Sequence, residues 1–253
     1  METSETNSSL SLTQLFGQMF INPKRGYAYI RDNRSTAWIW VALIVLILAA
    51  LVSYGVQLNT FALMEAQFVP PEEDFGFEVP PPSFGLFNIL PILLAPVGRL
   101  AIWLVWAGSI LVCVSLFGGR TGFGKMWQLA VWASIPFIIS LALNIIYLFT
   151  GESVEPLSWS LANFMENPVQ SFATAPPPGQ PFPGPPDTSS VVLYSLAQRV
   201  DLFAFWQLTL LSIGTMTIGK LSFGKSISIV LILWILGSLI TILPTAVFAG
   251  GVF

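Results

Sequence analysis

The sequence predicts an all-α integral membrane protein with five transmembrane helices, and three observations predict it. Of 253 residues, 54% are hydrophobic and only 9% are charged, against about 25% charged in an average soluble domain. So few charges cannot cover a water-facing surface. The apolar residues fall in five blocks, each near the ~20 residues that cross a hydrocarbon core of roughly 30 Å. The segments between the blocks alternate between basic and acidic, the pattern of loops on opposite sides of a bilayer.

The blocks run approximately 36–54, 97–117, 127–149, 202–218 and 227–247. Residues 1–35 are expected to be a cytoplasmic leader, not a signal peptide, because Glu2 and Glu5 stand where a basic n-region would be. Within the leader, Leu12, Leu15, Phe16, Met19 and Phe20 recur at helical spacing. This predicts a short amphipathic helix lying on the inner membrane surface, with a docking helix for a partner as the competing reading.

The membrane domain covers residues 36–250, with Pro-rich outer loops at 56–85 and 151–188. "VPPEEDFGFEVPPPSFG" and "ATAPPPGQPFPGPPDTSS" in these loops should be extended rather than packed. "LFNILPILLA" at 86–95 is too short to cross and carries Pro91. It reads as an interfacial lead-in, with Pro96 opening the second span where a missing N–H costs nothing. A single kinked helix from 86 to 117 is the alternative. Pro136 removes a backbone bond in the middle of the third span and predicts a kink. "LSWSLANFMENP" suggests a small interfacial helix anchored by Trp159. The short fourth span can extend backward through "SSVVLYSLAQRVDLF", with Ser189 or Ser190 as its cap.

Orientation follows from the basic residues, which are retained on the cytoplasmic side. Lys24, Arg25, Arg31 and Arg34 precede the first span, Arg120 and Lys125 lie in one turn, and Lys220 and Lys225 in another. Ten of the thirteen acids lie between Glu65 and Glu78 or between Glu152 and Asp201. Five spans then put the N-terminus inside and the C-terminus outside.

"GKLSFGKS" at 219–226 satisfies the phosphate-loop pattern G-x-x-x-x-G-K-(S/T). A true phosphate loop joins a β-strand to a helix. Here a membrane helix precedes it, and no acid that could serve Mg²⁺ follows Asp201. No nucleotide site is expected. The absence of His and the single cysteine, Cys113, exclude histidine catalysis, Cys/His metal clusters and an intrachain disulfide. No catalytic residue, metal, cofactor or nucleic-acid partner is expected.

The same stretch has an echo one hundred residues earlier, "GRTGFGK" at 119–125, and Trp106 and Trp206 each stand thirteen positions before the first Gly. The shared unit predicts a parallel repeat of two helical hairpins. Gly119 and Gly219 should take the left-handed conformation that ends a helix, Arg120 and Lys220 should meet the negative helix end, and Thr121 or Ser222 should cap the next helix. Phe123 and Phe223 suit the headgroup boundary. Lys125 and Lys225, each after a Gly (Gly124, Gly224), should snorkel toward water or anionic lipid.

Few polar residues interrupt the spans: Arg99, Asn144, Gln207, and Arg199 with Asp201 at an outer edge. The two amides are expected to bond between helices, at roughly 0.6 kcal/mol each. The arginines and Asp201 should snorkel or pair at the interface.

The leader "FINPKRGYAYIRDNRSTAWIW", the hairpin "LFGGRTGFGKMWQLAVWASIPFII" and the ending "DLFAFWQLTLLSIGTMTIGKLSFGKSISIVLILWI" together resemble prokaryotic members of the Yip domain family. The residues that carry the resemblance are Asn22 and Pro23, Gly118, Gly119 and Gly124, Pro136, then Asp201, Trp206, Gly214, Gly224 and Lys225. The resemblance implies five spans, a cytosolic N-terminus and no catalytic residue. In eukaryotes the family is linked to Rab GTPases and vesicle traffic, through members with a longer N-terminal domain than this 35-residue leader. The expectation is a non-enzymatic adaptor or membrane-organising protein of a prokaryotic plasma membrane. Its partners would be the bilayer and a membrane or cytoplasmic protein, with homo-oligomerisation open. A small transporter, channel or lipid-handling protein is the alternative.

Overall fold

Ser11 and Gln14 start the first helix reciprocally: the Ser11 Oγ accepts from the Gln14 N–H, and the Gln14 side chain accepts from the Ser11 N–H. Helix α1 (Leu12–Ile21) ends at Asn22, whose side chain caps a second helix, α2 (Pro23–Asp32), with Pro23 in its first turn. The leader is therefore a helical hairpin, not the single surface helix expected. Leu15 and Met19 of α1 and Tyr27 and Ile30 of α2 are fully buried in the main core, while Leu12 and Phe20 stay partly exposed. The apolar face of the leader packs against the chain's own core. The computed structural model describes residues 10–67, 85–150, 156–168 and 187–249. The Pro-rich runs 68–84 and 169–186, expected as extended loops, lie outside the described residues.

Five helical segments are long and apolar enough to cross a membrane: Trp38–Ala66, Asn88–Leu116, Phe123–Thr150, Leu202–Gly219 and Phe223–Leu243. The described residues contain no strand, only one isolated bridge, between Ser160 and Asp201. The first span, α3 (Trp38–Gln67), runs well past the predicted end at 54, so residues 56–67 of the expected outer loop are helical. Its sequence carries no proline before Pro70, and Gly55 lets it close onto α6, since a Cβ there would lie 3.3 Å from Leu148 and Phe149. Asn59 also donates to the Leu148 carbonyl at 2.9 Å.

The second span is the continuous alternative. Helix α4 (Leu86–Leu116) contains both Pro91 and Pro96, so residues 86–95 are part of the span and not an interfacial lead-in. Its start is fixed ahead of both prolines by the Gly85 N–H, which donates to the Asn88 side chain at 3.1 Å. Pro91 falls within the first two turns, where few intrahelical bonds are lost.

Pro136 does more than bend the third span. Helix α5 (Phe123–Trp132) ends, and α6 (Ile135–Thr150) begins one residue before the proline. Ser134 in the break accepts from the Trp103 indole at 2.7 Å and donates to the Ala130 carbonyl at 3.1 Å. Thus α4 holds the joint of its hairpin partner.

After a short 3-10 turn at Leu161–Phe164, helix α7 (Thr188–Arg199) is capped by Asp187, which accepts from the Ser190 N–H, rather than by Ser189 or Ser190. It does not merge with the fourth span, because Asp201 caps α8 (Leu202–Gly219) separately, accepting from Phe203 and Ala204 N–H groups. The last span is α9 (Phe223–Ala249). Helix α8 is central: 61% of its residues are buried, against 22% in the most apolar stretches of α3 and α4. Helices α4 and α5 pack together, as do α8 and α9, and the pairs meet reciprocally, α4 on α9 and α5 on α8.

Candidate functional site

Both hairpin turns lie at one end of the bundle, and the leader runs from there along α8, with Arg31 at Thr217, Tyr27 at Gly214 and Phe20 at Trp206. At the first turn Gly118, not Gly119, is left-handed, with φ of 82°. At the second it is Lys220, with φ of 54°, and not Gly219. The glycines of the echo serve a different need. A Cβ on Gly119 would lie 2.5 Å from Val114 Cγ1 and 2.7 Å from the Gly219 carbonyl oxygen, and one on Gly219 would lie 3.1 Å from the same Val114 methyl. The two turns approach each other across Val114, and only a residue without a side chain fits between them.

The next helices start differently as well. Gly122, not Thr121, occupies the cap of α5 and offers no side chain, while Ser222 caps α9 through a long 3.5 Å bond from the Lys225 N–H. Phe123 and Phe223 are exposed. A Cβ on Gly124 or Gly224 would meet nothing within 4 Å.

The two lysines of the echo are not equivalent. Lys225 is exposed, and its ammonium has no hydrogen bond or ion pair among the described residues. Lys125 turns inward, donating to the Ile30 carbonyl and, at 2.6 Å, to the Asn33 carbonyl. These are carbonyls at the C-terminal end of α2, where a cation is favoured by unsatisfied oxygens and the helix dipole. Lys125 therefore holds the leader instead of snorkelling.

Arg31 makes a second clasp. Its guanidinium grips Asp32 in a bidentate pair at 2.7 and 2.8 Å and reaches the Thr217 carbonyl in the last turn of α8 at 3.4 Å. The hydrogen bond from Arg31 holds the Asp32 carboxyl below the ordinary value, with Lys220 and Lys125 adding to the effect, and the same bond pushes Arg31 up. Arg34, Arg120, Lys220 and Lys225 on the adjoining segments are exposed, as are Lys24 and Arg25 in the first turn of α2. Asp32 is the one carboxylate at this end among the described residues.

Trp206 stands higher on α8 and meets Phe20 edge-on, 5.3 Å between ring centres, which ties α1 to the central helix. Gly214 is another close contact, since a Cβ there would lie 2.1 Å from Leu129 Cδ1 and 3.1 Å from the Tyr27 ring. Asn144 donates to Ser140 of its own helix at 2.9 Å rather than between helices, and Gln207 is buried on α8. Arg99, expected at the interface, instead lies near the middle of the span Asn88–Leu116, over the ring of Phe137 midway along Phe123–Thr150, at 5.1 Å. Trp159 packs edge-on against Phe203, where the segment leading into the 3-10 turn meets α8. Arg199 and Asp201 do not pair there: Asp201 is used as a cap, and Arg199 donates to Thr241.

Sequence reasoning did not find α2, the Lys125 grip or the Trp103–Ser134 bond. The Asn22–Pro23 pair was the available signal for α2, since Asn caps and Pro opens a helix. The other two depend on which helices become neighbours.

The phosphate-loop pattern sits between two helices, α8 and α9, with no strand before it. A family model described as the Yip1 domain matches residues 17–243. No curated protein and no solved structure matches the chain. The family match takes in both clasps of the leader, both turns and all five apolar spans as far as Leu243, and the chain belongs to the Yip1 domain family.

Proposed function

We propose that this multipass membrane protein is a non-catalytic adaptor or membrane-organising factor working through the leader and the two turns. The carrying observation is that six exposed cations lie on or beside a leader hairpin clamped by Lys125 and Arg31. A rigid basic face with exposed Phe123 and Phe223 at its margin suits an acidic surface on a membrane or cytoplasmic protein. The retention of basic residues on the cytoplasmic side supports an inward-facing leader, with the C-terminus outside, in a prokaryotic plasma membrane. The reciprocal packing of α4 on α9 and α5 on α8, with Gly119 against Gly219, supports a parallel repeat of two hairpins.

The test is co-purification of the intact chain in mild detergent, with Arg120, Lys220 and Lys225 changed together to Ala. Lys125 is left alone because it holds the leader. Loss of a reproducible partner in the triple variant supports the adaptor reading. Solute flux through proteoliposomes containing only this protein would replace it with transport. Labelling of a cysteine at position 225 from outside intact cells would reverse the orientation.

A further inference from the structure

At the end of the bundle away from the turns, α7 lies against α9, and the 3-10 turn closes the space beside them. The cleft between them has a volume of about 390 Å³, within the range of ligand sites. Leu161, Met165, Leu196, Trp234 and Leu239 make its walls apolar, and Arg199 is the one charged residue lining it.

Arg199 sets the character of the site. Its guanidinium donates to the Thr241 hydroxyl at 2.5 Å, and among the described residues it has no carboxylate partner. Asp201, the nearest acid in sequence, is occupied by the Phe203 and Ala204 N–H groups. Arg199 ends α7 and stands three residues before the apolar span Leu202–Gly219 begins, which places it where a span meets the headgroup region. An oriented arginine with free donors above an apolar cleft complements one kind of molecule, with an anionic phosphate at one end and an acyl chain at the other.

We infer that the cleft between α7 and α9 binds a single anionic phospholipid from the surrounding bilayer, its phosphate on Arg199 and an acyl chain against Leu196 and Trp234. The site is separate from the basic face and does not depend on the adaptor reading.

The test is native mass spectrometry of the full chain in mild detergent, incubated with phosphatidylglycerol or phosphatidylcholine of identical acyl chains. Wild type should retain phosphatidylglycerol preferentially. Arg199→Gln should reduce that retention about fivefold, the factor expected for one cation at an anionic surface. Leu196→Trp, which fills the cleft and leaves the Arg199–Thr241 bond in place, should reduce retention of both lipids; it keeps the test decisive if Arg199→Gln does not fold. Undiminished retention in Leu196→Trp overturns the proposal. So does displacement by glycerol phosphate alone, which would mean an anion site without a chain. Photo-crosslinking from position 196 to residues 169–186 instead of lipid would make this chain's own segment the occupant and also overturn it.

Discussion

Gly119 faces the carbonyl oxygen of Gly219 so closely that a Cβ on the first would lie 2.7 Å from it. The two stretches that repeat in sequence one hundred residues apart thus meet in space. Backbone against backbone cannot yield as a flexible side chain would. Gly119→Ala should therefore destabilise the bundle by about 1–3 kcal/mol, the usual cost of overpacking. Gly124→Ala, with open space around its Cβ, should leave the melting temperature in detergent within experimental error of wild type. Equal melting temperatures for the two variants would show that the turns do not approach in this way.

Lys125 and Lys225 occupy the same place in the echoed turns and are predicted to behave differently. Lys125→Met removes two charge-assisted bonds to the end of α2. Because Lys125 remains partly exposed, the loss should be on the order of 1–2 kcal/mol, below the fully buried value. Hydrogen exchange across residues 27–33 should quicken accordingly, and a cysteine at the buried Met19 position, in a Cys113→Ala background, should become reactive. Lys225→Ala should change neither reading. Matching behaviour of the two variants would remove the basis for calling Lys125 a clasp.

What the sequence disclosed follows from how local each determinant is. Five spans were legible because apolar length and scarce charge act without regard to neighbours. A disturbance at Pro136 was legible for the same reason, since proline acts on its own backbone, but as a kink and not as the break between α5 and α6. The role of the turn glycines was misread, because the same residue satisfies either a left-handed φ or a close approach, and only Val114 and the opposite turn distinguish them. Lys125 looked like a snorkelling residue because its acceptors are carbonyls more than ninety positions away. The continuity of α4 through Pro91 and Pro96 ran against propensity, and prolines in spans are tolerated where neighbouring helices and local backbone adjustment re-satisfy the groups they free.

Ser134 links the indole of Trp103 to the carbonyl of Ala130 at the break before Pro136, and both side chains are fully buried. Ser134→Ala would strand the indole N–H inside the bundle and should cost about 1–3 kcal/mol. Trp103→Phe in the same chain removes the stranded donor, so the double variant should lose less than the sum of the single losses. Strict additivity in a thermal-denaturation cycle would mean that the two groups are not coupled.

Tyr27 makes the pH prediction. It is fully buried between the leader and α8, its hydroxyl has no hydrogen-bond partner among the described residues, and burial raises its pKa far above the ordinary tyrosine value. Because the folded value is raised, the stability tied to the neutral phenol is intact below about pH 10, the unfolded value. It is lost as pH rises from there toward the folded value, at about 1.4 kcal/mol per unit, because the unfolded chain releases a proton that the folded one keeps. Tyr27→Phe should abolish this alkaline loss. At neutral pH it should be neutral or stabilising by up to about 1 kcal/mol, since it removes a buried hydroxyl with no partner. A Tyr27→Phe chain that melts lower than wild type at pH 7, with the same alkaline slope, would refute both the burial and the missing partner.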